Sequence, residues 1–126
     1  MSAIDAHHHL IDPARTEYPW LTPDLAAIDR RFGPEDLEPE LAASGIEHTI
    51  LVQTISSLEE TREFLATAAM VPFIAGVVGW VDLTDPSVAD VIARLRAEPG
   101  GDGVVGVRHQ VHDEPDPDWL SRPYST

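Results

Sequence analysis

Four short, apolar, β-branched runs alternate along this chain with segments of helical periodicity, and that alternation restricts the available folds more than any other feature. "SAIDAHHHLID" begins with strand-like alternation: Ile4, Ala6, His8 and Leu10 would share one face, and Asp5, His7 and His9 the other. "HTILVQT" (48–54) has the composition of a strand buried on both faces, and "FIAGVVGWVDL" (73–83) and "GVVGVRHQVH" (103–112) read the same way. Helices are predicted between them. "PEDLEPELAASG" carries Leu37 and Leu41 at i, i+4, with Gly45 as its stop. Ser57 and Glu60 have capping-box spacing ahead of a stripe of Phe64, Leu65 and Ala68, which Pro72 ends. Asp85 as cap and Pro86 at the first helical position open a third helix. Its apolar face is Val88, Val91, Ile92 and Leu95, and Gly100-Gly101 closes it. Buried strands alternating with helices imply right-handed crossovers and a parallel α/β sheet. One stretch breaks the pattern. "PARTEYPWLTPDLAAIDRRFGP" (13–34) has no clear period and reads as a long loop with a short helical turn. Loops of that length in compact domains are often functional.

The bulk numbers bound the function. A length of 126 residues is about one domain's worth. The formal net charge of −14 repels phosphate backbones and anionic lipid, which argues against nucleic-acid and membrane partners. There is no cysteine, so neither disulfides nor thiolate chemistry is available, as suits a cytoplasmic protein. No basic stretch followed by an apolar run marks a signal peptide, and no apolar run is long enough to span a bilayer.

In parallel α/β folds ligands gather at the carboxyl ends of the strands. The predicted strands end in His7-His8-His9, Gln53-Thr54, Trp80-Val81-Asp82 and Arg108-His109-Gln110. Polar and aromatic groups at four strand ends are a pattern that a packed core does not need. His7 and His9, at i, i+2 on one face with Asp5, stand close enough to ligate one divalent ion, and neutral imidazole suits zinc. A purification-tag origin fits poorly, because the run is short and lies between Ile4 and the pair Leu10-Ile11. His8 faces the other way and reads as a packing residue. Arg108 can clamp a carboxylate or polarise a carbonyl; pairing with Asp113 or Glu114 is the structural alternative. His109 and His112 are candidate acids or bases against a background of merely solvated histidines. Gln53 can orient a substrate group or simply satisfy a strand end. Trp20, Trp80 and Trp119 can wall a pocket or fill core and rim. His48, at the amino end of its strand, reads as structural.

"IDAHHHLIDP", "YPWL", "GIEHTILVQ", "FIAGVVGWVDL" and "GVRHQVHDEPDPDWL", in this order, resemble the amino-terminal half of an amidohydrolase-superfamily protein. The similarity is to the branch that contains sugar-lactone hydrolases such as L-fuconolactonases and L-rhamnonolactonases. The resemblance implies the first half of a (β/α)8 TIM barrel, about four parallel strands in a single partial domain over 1–126, with the carboxyl-terminal half absent. A complete barrel needs about 250 residues. It implies His7 and His9 as metal-site positions, Arg108 as a substrate-binding arginine and Gln53 at the pocket; the strand ends themselves add Trp80 as a substrate-binding candidate and Arg108 and His109 as candidates for catalysis. The reaction implied is hydrolysis of a sugar lactone, with a divalent metal such as zinc or, as in some members, without one. The general base would then lie in the missing half. Two other readings compete: an inactive or merely metal-binding remnant, and a decarboxylase built on the same scaffold. Two open sheet edges would invite self-association into a homo-oligomer.

Overall fold

Residues 3–121 are described by a computed structural model, and they build a single four-stranded parallel sheet in the order β1-β2-β3-β4. The strands are β1 (Ala3–His8), β2 (Ile46–Val52), β3 (Ile74–Gly79) and β4 (Val104–Val107). The connecting helices are α1 (Pro34–Ser44), α2 (Leu58–Met70) and α3 (Val88–Ala97). Strands neighbouring in sequence are neighbours in space, the arrangement that successive right-handed βαβ units generate. The last residues of the polar, proline-rich tail, from 122 onward, lie outside the described set, as do residues 1 and 2.

One row of paired residues crosses the sheet: His8 opposite Leu51, Leu51 opposite Val77, and Val77 opposite Val104. All four are buried. Leu51, Val77 and Val104 join Leu10, Phe64, Leu65, Ile74, Val81 and Leu95 in the core between sheet and helices. The predicted alternation in β1 holds only in part. Three residue steps from Asp5 to His8 face two from Thr49 to Leu51, so β1 carries one extra residue there. Such a bulge reverses the phase of the side chains. His8 and Leu10 are therefore buried as expected, whereas Ile4 remains 58% exposed and Ala6 is exposed as well.

The helix ends show where local signals hold. Gly45 closes α1 in the left-handed region at φ 71°, as its position predicted. At α2, Ser57 Oγ accepts from Glu60 N at 3.0 Å, but the return half of the capping box is missing because the Glu60 carboxylate is used elsewhere. Helix α3 begins later than predicted. Ser87 is its cap, and the Asp85 carboxylate accepts from Ser87 N at 2.8 Å, so Pro86 sits in the preceding turn. The helix also stops sooner, with Glu98 as its C-cap, before Gly100-Gly101. The long loop holds a 3-10 helix at Pro23–Ile28, and an antiparallel bridge between Ile11 and Phe32 closes it. Among the described residues no helix is long and apolar enough to cross a membrane.

Candidate functional site

Strand β1 ends at His8 and β4 at Val107, so His7 and His9 flank one strand end and Arg108 leaves the other. Their side chains meet although β2 and β3 lie between them in the sheet. His7 Nε2 stands 3.1 Å from His9 Nε2, and Arg108 NH1 stands 3.1 Å from His7 Nε2. The two imidazole rings meet edge to face at 4.9 Å. Hydrogen-bond chemistry assigns the protons. The Val52 carbonyl, 2.9 Å from His9 Nδ1, can only accept, so Nδ1 carries the proton and Nε2 is a bare lone pair. Arg108 can only donate, so His7 Nε2 is bare too. Burial holds the His9 pKa below its ordinary value, against the raising effect of the Val52 hydrogen bond, which keeps the ring neutral near pH 7.

Two bare lone pairs this close repel unless a cation lies between them. In a tetrahedral zinc site with Zn–N bonds of ~2.0–2.1 Å the two nitrogens would stand about 3.3 Å apart. The pair therefore fits two ligand positions of such an ion, with Val52 supplying the outer hydrogen bond that fixes one ligand's tautomer. Among the described residues no third histidine, cysteine or carboxylate joins them. Asp5, expected on the same face, turns its Oδ1 to the His7 backbone N–H at 3.1 Å. Arg108 and a metal ion would compete for the same His7 lone pair.

A cavity of about 580 Å³ opens beside this cluster, with His9 and Arg108 in its lining. Ile11, Trp20, Leu25, Ile28 and Phe32 line it too, all but Ile11 from the long loop, together with Thr54, Gln110, His112 and Asp113. Trp20 is thus a wall residue, one of the two alternatives its sequence context left open. Its indole N–H donates to the Thr54 carbonyl at 2.8 Å. The ion-pair alternative for Arg108 is not realised: Glu114 is taken by His109 at 2.6 Å, and Asp113 accepts from Gln110 Nε2 at 2.7 Å.

Three expected site residues are placed differently. Trp80 Nε1 donates to His109 Nδ1 at 3.1 Å, and His109 Nε2 faces Glu114 at 2.6 Å. Both nitrogens of His109 are engaged, its ring is stacked on Trp119 at 4.0 Å, and neither it nor Trp80 lines the cavity. These residues form a clasp that ties the end of β3 to the segment after β4, whereas His109 was expected as a catalytic acid or base. Gln53 is fully buried, with Nε2 donating to Ile55 O at 3.1 Å and Oε1 lacking a partner, and it too is absent from the cavity lining. His112 does reach the lining.

The sequence reading missed Glu60. Its buried carboxylate accepts from Thr54 N at 2.8 Å, from Ile55 N at 3.4 Å and from the Thr54 hydroxyl. It therefore holds the loop whose Thr54 carbonyl anchors Trp20. Burial raises its pKa, against the lowering effect of the Thr54 and Ile55 hydrogen bonds. Thr61 was missed as well. Its hydroxyl accepts from Trp80 N and donates to Trp80 O, both at 2.8 Å.

Four parallel strands alternating with helices match the amino-terminal half of a TIM-barrel amidohydrolase. The family model described as Amidohydrolase matches residues 4–125, and the chain belongs to that family. It is 42% identical over 120 residues to an L-fucono-1,5-lactonase of Burkholderia ambifaria, an alignment that takes in 95% of this chain and 40% of that protein. It is 34% identical over 113 residues to an L-fucono-1,5-lactonase of Burkholderia multivorans, over 90% of this chain and 37% of the relative. The crystal structure of an amidohydrolase from Burkholderia multivorans with bound zinc superimposes with a TM-score of 0.84 at 31% identity, covering 97% of this chain and 42% of that one. The chain thus spans about 40% of the length of the curated relatives it matches.

Proposed function

We propose that these residues are the carbonyl-activating part of a sugar-lactone hydrolase site. The observation that carries the reading is the convergence of three side chains, His9 at 3.1 Å from His7 and Arg108 at 3.1 Å from His7, with His9 and Arg108 lining the cavity. Hydrolysis of a lactone builds negative charge on the carbonyl oxygen as water adds, before the ring oxygen leaves. Arg108 is the cation available for that oxygen, and a guanidinium can offer it two hydrogen bonds. A divalent ion held by His7 Nε2 and His9 Nε2 would, when bound, polarise the same carbonyl and acidify a water. His9 keeps its tautomer through Val52 and lines the cavity. Relatives named L-fucono-1,5-lactonase support a lactone as the substrate class.

With both Nε2 lone pairs assigned to a metal ion and Arg108 beside His7, no histidine of the cluster is left as general base, and among the described residues no third metal-ligating group joins them. We therefore expect negligible turnover from the 126-residue chain alone. The test is acid release from a panel of sugar δ-lactones, by this chain and by the product of the coding sequence read beyond Thr126. The extended protein should release acid, and Arg108→Met should slow it by about 10²–10³-fold, the usual cost of an oxyanion donor. No release from the extended protein would sink the lactonase reading. Turnover by the 126-residue chain at the rate of a complete relative would sink the half-site reading. A stop codon directly after Thr126, with an inactive chain, would favour a remnant.

A further inference from the structure

Helix α2 is the crossover from β2 to β3, so only its first turn lies at the carboxyl end of the sheet. That turn carries two adjacent buried polar residues, Glu60 and Thr61, exposed to 6% and 1%. Neither lines the cavity. Polar groups are costly in a helix–sheet interface unless they are bonded, and packing alone would be better served by apolar residues. Successive residues on a helix point about 100° apart, and these two serve different strand ends. The Glu60 carboxylate takes the β2 side, accepting from Thr54 N at 2.8 Å, from Ile55 N at 3.4 Å and from the Thr54 hydroxyl. The carbonyl of the same Thr54 accepts from the indole of Trp20, a residue of the cavity lining. Thr61 takes the β3 side, with its hydroxyl on both the N–H and the carbonyl of Trp80. Just before Trp80, the Gly79 carbonyl accepts from Arg108 N at 2.9 Å, and Trp80 Nε1 donates to His109 Nδ1 at 3.1 Å. One arm thus runs from α2 to Trp20 and the other from α2 to Arg108, both in the cavity lining.

We propose that Glu60 and Thr61 are positioning residues of the site: Glu60 sets Trp20 through the Thr54–Ile55 turn, and Thr61 sets Arg108 through Gly79 and Trp80. Neither touches a reacting group. What the two arms do for catalysis rests on the lactone reading; what they do for Trp20 and Arg108 does not.

Proton exchange with solvent, followed by NMR on the 126-residue chain without ligand, tests the two arms separately. The chain has three tryptophans, so Trp20→Phe and Trp80→Phe assign the indole signals. In Glu60→Ala the Trp20 indole N–H should exchange about tenfold faster, the factor expected when bonds to a charged group are lost, while the Trp80 indole and the Arg108 amide hold. In Thr61→Val the Trp80 indole and the Arg108 amide should exchange about tenfold faster, while the Trp20 indole holds. Conservative variants should rescue each arm to within about twofold of the parent, since Glu60→Gln keeps an acceptor for Thr54 N and Thr61→Ser keeps the hydroxyl. Leu95→Val, which thins the core under α3, should move neither arm. If Glu60→Ala or Thr61→Val fails to fold, Glu60→Asp, with its carboxylate drawn back by one methylene, and Thr61→Ala carry the same expectations. Acceleration of both arms by one variant, acceleration of neither, or failure of Gln and Ser to rescue would each overturn the proposal. These readings need no substrate, so their failure is distinct from failure of the lactone reading, which acid release by the extended protein decides.

Discussion

Glu60 is held out of water, and its pKa is raised above the ordinary carboxylate value of 4.5 chiefly by that burial. For such a group the folded state holds its proton to higher pH than the unfolded state. Stability therefore falls as pH rises from 4.5 through the folded pKa, and the penalty is complete above it. Glu60→Gln keeps an acceptor for Thr54 N and removes the titration. Urea unfolding midpoints at pH 5 and pH 8 should then show a gain for the variant over the parent that is larger at the higher pH; a pH-independent difference would contradict this. The histidine pair makes a second prediction at this scale. Zinc titrated into the chain should bind with dependence on both His7 and His9, and Arg108→Met should tighten it by about tenfold, since a charged hydrogen bond of ~1.5 kcal/mol no longer competes for the His7 lone pair. Unchanged zinc affinity in His7→Ala or His9→Ala would rule out the shared site.

Helix α2 is tied to the end of β3 by one hydroxyl, and that contact decides where the β3 loop begins. Thr61 Oγ1 serves both the N–H and the carbonyl of Trp80. Gly79 makes room for it, because a Cβ there would meet Thr61 Cγ2 at 2.5 Å. Thr61→Val keeps the volume but leaves the Trp80 amide groups without that partner, at a cost of about 1–3 kcal/mol. Gly79→Ala should cost about the same through overpacking. Chemical denaturation reads both. Because they act on one contact, the double variant should lose less than the sum; strict additivity would mean the two residues are uncoupled. The same displacement should loosen Trp80 and with it the His109–Glu114 clasp.

At the scale of the molecule, β1 and β4 each pair on one side only among the described residues, while β2 and β3 pair on both. Ile4 on β1 and Val105 on β4 are exposed to 58% and 59%. Amide exchange should therefore be fastest in β1 and β4 and slowest in β2 and β3. The chain should also self-associate with rising concentration, and Ile4→Lys with Val105→Lys should suppress that in light scattering. A monomer indifferent to both substitutions would contradict it. Strand and helix alternation, and with it the parallel sheet, was legible along the chain because buried strands and amphipathic helices differ in period whatever they pack against. Gly45 as a stop and His7, His9 and Arg108 as strand-end groups were legible for the same local reason. The element bounds and the functional sorting were not. The bulge after Asp5 that flips the phase of β1 depends on the pairing with β2. The diversion of the Ser57–Glu60 box toward Thr54 depends on a loop folding over the carboxylate. His109 and Trp80 look like site residues in sequence, yet a hydrogen bond across 29 positions makes them a clasp. Composition and periodicity are properties of neighbours along the chain and determine which elements form. Which lone pair meets which donor depends on groups brought together from distant positions, as Arg108 is brought to His7 across 101 residues, and only the tertiary structure decides that.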